Sequence, residues 1–219
     1  MFCTTGCSFK QQSIDSAKTQ YVKLPRPAMV SPAEWGSEPD SLVGREHTPT
    51  YLTIHHAGVE WKPTDDPVAK LKGLQSWGKR DKSWPDVPYH FLISPDGRIF
   101  EGRSIAYEPE TNTSFDTNGH VNIHLWGNTD VQRATLAQLE STVAVAAWVS
   151  SEYGVSPETL GGHKDRVAAG ETSCPGTDVA RYIDSGLMKT WVVETLEGKT
   201  PEIQLMEPAE GGPIAFVGE

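Results

Sequence analysis

Three side chains able to bind a borderline-soft metal ion are spread along this chain of 219 residues. His55 closes the run Tyr51-Leu52-Thr53-Ile54-His55, His163 stands in Gly161-Gly162-His163-Lys164-Asp165, and Cys174 stands in Thr172-Ser173-Cys174-Pro175-Gly176. Two imidazole nitrogens and one thiolate leave a fourth tetrahedral position open, the arrangement of a catalytic rather than a structural zinc. His55 lies far upstream of the other two, so no local zinc-finger spacing applies and only the fold can assemble the set. The same residues are also compatible with a blander role, in which Cys174 is a small buried hydrophobe and the two histidines satisfy local hydrogen bonds.

The elements that must position them follow from periodicity. Tyr51 to His55 alternates as a strand, with Leu52 and Ile54 on one face and Thr53 and His55 on the other. Val68, Leu71, Leu74 and Trp77 recur at helical spacing from about Asp65 to Arg80, with Thr64 or Asp65 as the cap and Gly78 ending the regular part. Tyr89 to Ile93, the turn Ser94-Pro95-Asp96-Gly97 and Arg98 to Glu101 make a hairpin, because Pro suits the second turn position and Gly the position needing positive φ. Val121 to Trp126 alternates again and sets Asn122, His124 and Trp126 on a polar face. Helices are expected from Ala134 to Tyr153, capped by Gly154, and from about Asp178 to Leu196. The mixed order of strands and helices predicts an α/β (α+β) domain with a central mixed β-sheet flanked by helices.

Residues 1–28, rich in Ser, Thr, Gln and Lys, read as an extended amino-terminal arm, residues 29–198 as the folded domain, and 199–219 as a tail that is loosely held from Glu207. A hydrophobic fraction of 37% with 7 Trp, 6 Tyr and 6 Phe supplies a core. The formal charge of −10 argues against nucleic acid as a partner, since that affinity comes largely from clustered cations. No run is apolar and long enough for a transmembrane segment. Cys3 and Cys7 in the arm could close a small disulfide loop, remain free, or include a lipidated residue; Thr4-Thr5-Gly6-Cys7 loosely resembles a lipoprotein processing site without its apolar segment.

From about residue 29 to 183 the chain resembles the zinc-dependent N-acetylmuramoyl-L-alanine amidases, the group that includes phage lysozyme-like amidases and peptidoglycan recognition proteins. Four motifs match in order. They are Trp35-Gly36, Thr53-Ile54-His55-His56-Ala57, Pro88-Tyr89-His90-Phe91-Leu92-Ile93 continuing through Asp96-Gly97 to Glu101-Gly102-Arg103, and Gly162-His163 followed by Cys174-Pro175-Gly176. The resemblance implies a mixed sheet with about three main helices, Zn²⁺ held by His55, His163 and Cys174, and hydrolysis of the amide between N-acetylmuramic acid and L-alanine in peptidoglycan or muropeptides. A non-catalytic peptidoglycan-recognition module is the alternative. An exported location, periplasmic, envelope-associated or extracellular, and a monomeric state are expected.

By the same resemblance Tyr89 is a catalytic residue beside the metal. Thr172 occupies the place of a polar or cationic site residue and either assists with a neutral hydroxyl or braces its loop. His124 stands where one branch of the family has a glutamate, so its imidazole either handles a proton or bonds a neighbour within the sheet. His56 and His90 point away from the site by alternation and are expected to be structural. The segment from Arg103 to Asn118 departs from the family pattern, and Tyr107, Asn112 and Asn118 are its candidate groove residues.

Overall fold

A computed structural model describes residues 21–38 and 44–219. Cys3, Cys7 and the arm before residue 21 therefore lie outside the described residues. Six strands form one mixed sheet: β1 (Met29–Val30), β2 (Tyr51–His56), β3 (Phe91–Ile93), β4 (Ile99–Glu101), β5 (His120–Leu125) and β6 (Gly161–Gly162). Their order is β1-β4-β3-β5-β2-β6, antiparallel only between β3 and β4, the expected hairpin. Among the described residues five α-helices accompany it: α1 (Pro32–Trp35), α2 (Pro67–Lys82), α3 (Leu136–Tyr153), α4 (Thr177–Asp184) and α5 (Leu187–Leu196).

Alternation in the two central strands separates the faces of the sheet. Leu52, Ile54, Val121, Ile123 and Leu125 pack with Leu139, Val143, Tyr182 and Trp191 from the helical layer of α3, α4 and α5. The opposite face carries Thr53, His55, Asn122 and His124, all buried, with the smaller cluster of Trp35, Leu71, Leu92, Phe100 and Trp126 beside them. A parallel pair buried on both faces has no solvent side for its polar residues. Four polar side chains at the middle of such a sheet are thus confined to one another and to whatever occupies the space above them.

Several local expectations change. Helix α2 opens at Asp66, whose carboxylate accepts the Ala69 N–H at 2.7 Å, and runs through Gly78 to Lys82. Gly78 is tolerated because Trp84 packs where a Cβ would stand, 3.1 Å from its Cε3. Of the α2 apolar stripe only Leu71 is fully buried; Leu74 and Trp77 face a cleft. The helix expected from 178 to 196 is two helices, broken where Gly186 takes φ +79°. The tail is held rather than loose. Ile203, Leu205 and Met206 pack on the larger core, Val217 is buried against Gly127, and the Arg133 guanidinium lies 4.7 Å from the Phe216 ring centre. The last part of the arm also docks: Leu24 packs on the larger core and the Val22 N–H donates to the Leu196 carbonyl at 2.8 Å.

Candidate metal centre

Parallel register explains how distant residues meet. β6 pairs with β2 so that Ile54 stands opposite Gly162, which places the next residues, His55 and His163, side by side with ring centres 4.7 Å apart. Gly162 has to be glycine, because a Cβ there would fall 2.5 Å from Pro175 Cδ, and that proline closes the loop carrying the third residue. The Cys174–Pro175 peptide is cis. Lys164 N–H donates to the Cys174 carbonyl at 2.7 Å and Cys174 N–H donates to Thr172 Oγ1 at 3.1 Å, which fixes the thiol against the strand ends.

The result is a buried group of His55, His163 and Cys174 whose donor atoms all lie within 4.8 Å of one another. His55 Nδ1 is 3.6 Å from Cys174 Sγ. Burial, and then the neighbouring His163, hold the His55 imidazolium form well below its usual range, so the ring carries a free lone pair. Burial also pushes the Cys174 thiol up to about 12. Two neutral imidazoles and one thiol converging in a buried group are a donor set suited to zinc. The His56 N–H donates to Cys174 Sγ at 3.4 Å, while the His56 ring accepts from the Thr129 N–H at 3.1 Å. His56 therefore supports the thiol from its backbone and the loop from its ring.

Tyr89, on the approach to β3, lines the cleft with its ring centre 5.2 Å from that of His55 and 4.3 Å from that of His124. Its hydroxyl has no hydrogen-bond partner among the described residues, and burial, with Cys174 nearby, raises its pKa, so it stays protonated. His124 stands in register with His55 across β5 and β2. It is buried between Tyr89 and Trp126, its Nδ1 has no partner among the described residues, and burial holds its pKa near about 3. Thr172 is half-buried, braces Cys174 and does not line the cleft. His90 is buried as a structural residue, its Nδ1 accepting from the Asn122 N–H at 3.0 Å and its Nε2 donating to the Tyr107 carbonyl at 2.9 Å.

The cleft above this centre has a volume of about 790 Å³ and is walled by Trp61, Leu74, Trp77, Trp84 and Trp126. Of the three candidate groove residues only Asn112 lines it; Asn118 instead donates to Glu108 at 2.8 Å, and Tyr107 spends its carbonyl on His90. Sequence reading missed Thr113, Phe115 and Glu171. Thr113 Oγ1 is 2.7 Å from His163 Nε2, the Phe115 ring centre is 5.3 Å from that of His163, and Glu171 binds Ser114 across the site. They lie in irregular segments without periodicity, so no pattern in the sequence marked them.

A mixed sheet that brings a histidine near the end of β2 together with a histidine just after the edge strand β6 and a cysteine from the loop that follows defines the class of protein. The chain belongs to the N-acetylmuramoyl-L-alanine amidase family, whose model matches residues 45–177. It is 29% identical over 168 residues to peptidoglycan-recognition protein SC2 of Drosophila simulans, covering 74% of this chain and 85% of that one. It is 32% identical over 158 residues to peptidoglycan-recognition protein SC1a of Drosophila melanogaster, covering 69% and 81%. Among solved structures, Drosophila PGRP-LB superposes with a TM-score of 0.63 at 23% identity, covering 72% of this chain and 93% of that one. The amidase LysCS of Clostridium intestinale superposes with a TM-score of 0.60 at 22% identity, covering 74% and 97%. These two likenesses concern the fold. No helix among the described residues is long and apolar enough to cross a membrane.

Proposed function

We propose that this protein is a zinc-dependent N-acetylmuramoyl-L-alanine amidase, with His55, His163 and Cys174 as the metal ligands and peptidoglycan or muropeptides as substrate. The observation that carries the reading is the convergence of those three donors, two of which, His55 and His163, line one cleft together with Tyr89. Zinc bound there would polarise the scissile carbonyl and bring the pKa of water down to about 7.

The chain's own residues supply the rest. Tyr89 donates its phenolic proton as a hydrogen bond to the oxygen on which negative charge develops, an interaction stronger in the transition state than in the ground state. His124, held neutral, has an unpartnered Nδ1 and packs beside the Tyr89 ring. Thr172 keeps Cys174 in place and takes no direct part. Trp61, Trp77 and Trp84 exclude water from one side of the bound substrate. Residues 29–198 would form the catalytic domain, acting outside the cytoplasm on cell-wall material.

The relatives' names include recognition as well as hydrolysis, so one experiment separates the two readings. Purified muropeptides are incubated with zinc-loaded protein and the products analysed by mass spectrometry. Free stem peptides beginning with alanine, together with glycans bearing an exposed lactyl carboxyl, are the expected products. New reducing ends would mean glycosidase chemistry, and binding without cleavage would make the protein a recognition module.

A further inference from the structure

The loop from Glu110 to Phe115 is tied to the metal centre from outside it. Thr113 Oγ1 lies 2.7 Å from His163 Nε2 and 2.9 Å from Thr111 Oγ1, and the Thr113 N–H donates to Thr111 Oγ1 at 3.2 Å. On the next residue, the Ser114 N–H and hydroxyl donate to the two carboxylate oxygens of Glu171, each at 2.6 Å. Glu171 belongs to the same connection as Cys174, so one clasp joins the Thr113 loop to the loop of the third ligand.

We infer that Thr113 is a positioning residue for the metal ligand His163, fixing which ring nitrogen faces the ion; this rests on the zinc site proposed above. A neutral imidazole carries one proton, and the nitrogen that binds a metal must be the bare one. With Nε2 engaged by Thr113, Nδ1 is left for the ion. The direction of the chain follows: His163 Nε2–H donates to Thr113 Oγ1, and the Thr113 hydroxyl proton passes on to Thr111 Oγ1. Both hydroxyls are then used without a donor facing a donor. A hydroxyl here does the work usually given to a carboxylate or carbonyl behind a zinc-bound histidine. Ser114 and Glu171 hold Thr113 at that distance.

The test compares Thr113→Val, which is nearly isosteric and lacks the oxygen, with Thr113→Ser, which keeps it. Zinc affinity is read by competition with a chromophoric chelator, and ¹⁵N NMR of the metal-free proteins reports the His163 ring tautomer. Thr113→Val is expected to bind zinc about 10–100-fold more weakly and to lose the Nε2–H tautomer signature. Thr113→Ser should retain both the zinc affinity and the tautomer signature of the parent. Thermal melting of the metal-free variants identifies any loss of fold, and Ser114→Ala, which removes one bond of the clasp while leaving the Glu171 charge near His163 in place, provides a second route to weakened affinity. Parental zinc affinity and tautomer in Thr113→Val would overturn the assignment while leaving the zinc site intact. A parent protein that takes up no zinc would overturn the functional reading and this assignment with it.

Discussion

Replacing Tyr89 by phenylalanine removes one oxygen and little else. The ring keeps its neighbours, His55 at 5.2 Å and His124 at 4.3 Å between ring centres. The hydroxyl has no partner among the described residues, so its loss leaves no buried donor or acceptor stranded. Stability should therefore change by no more than about 0.5 kcal/mol. Zinc content should not change, because the phenol is not one of the three converging donors. Turnover is different: a donor aimed at developing oxyanion charge typically accounts for about 10²–10³-fold, or about 2.7–4 kcal/mol of transition-state stabilisation. The assay is steady-state hydrolysis of a muropeptide at saturating zinc, with metal content and melting temperature measured on the same samples. The expected signature is a lower kcat with KM close to that of the parent, since the interaction is made mainly in the transition state. His124→Ala belongs beside it, because the two rings touch; a double variant that loses more than either single one would mean that they share proton handling. Parental turnover in Tyr89→Phe would refute the donor role and reduce Tyr89 to a packing residue.

Other perturbations probe the scaffold and the metal set. Cys174→Ser should fold yet lose most of its zinc as measured by elemental analysis, because a hydroxyl replaces the thiolate. His90 is held neutral, its pKa lowered to about 3 by burial despite the hydrogen bond to the Tyr107 carbonyl, with His47 and Arg103 adding smaller opposition to its charged form, against 6.5 when unfolded. The unfolded chain thus binds the extra proton first, and stability falls as pH drops below 6.5 by about 1.4 kcal/mol per unit for this group. Urea unfolding at pH 6.5 and 5.0 should show His90→Gln losing about 2 kcal/mol less than the parent over that interval; equal losses would remove His90 from the acid response. Gly102→Ala would bring a Cβ to 2.7 Å from Val87 Cγ2 and 2.8 Å from Leu92 Cδ1, and against the Tyr89 carbonyl. A stability loss of about 2–3 kcal/mol with lowered turnover is expected, read by denaturant titration and the muropeptide assay.

Where chemistry rides on a period, the sequence by itself determined the outcome. Strand alternation put His55 and His124 on the same side as Thr53 and Asn122, and the Pro-Asp-Gly turn defined the β3–β4 hairpin, because both signals are local backbone physics. The three metal-ligand candidates were legible as residue types in ordered motifs, but their meeting was not: it depends on the register that sets Ile54 opposite Gly162 and on Pro175 seating against a residue without a Cβ. The break at Gly186 escaped notice because Tyr182, Leu187 and Trp191 keep a helical period across it while the chain turns. Val217 and Phe216 looked like a loose end, since nothing nearby in sequence pairs with them; Gly127 and Arg133 supply their seat from far upstream. Thr113 and Glu171 were invisible for the same reason. A single hydroxyl or carboxylate in an irregular segment has no periodic signature, and its partner is chosen only when the folded chain closes the distance.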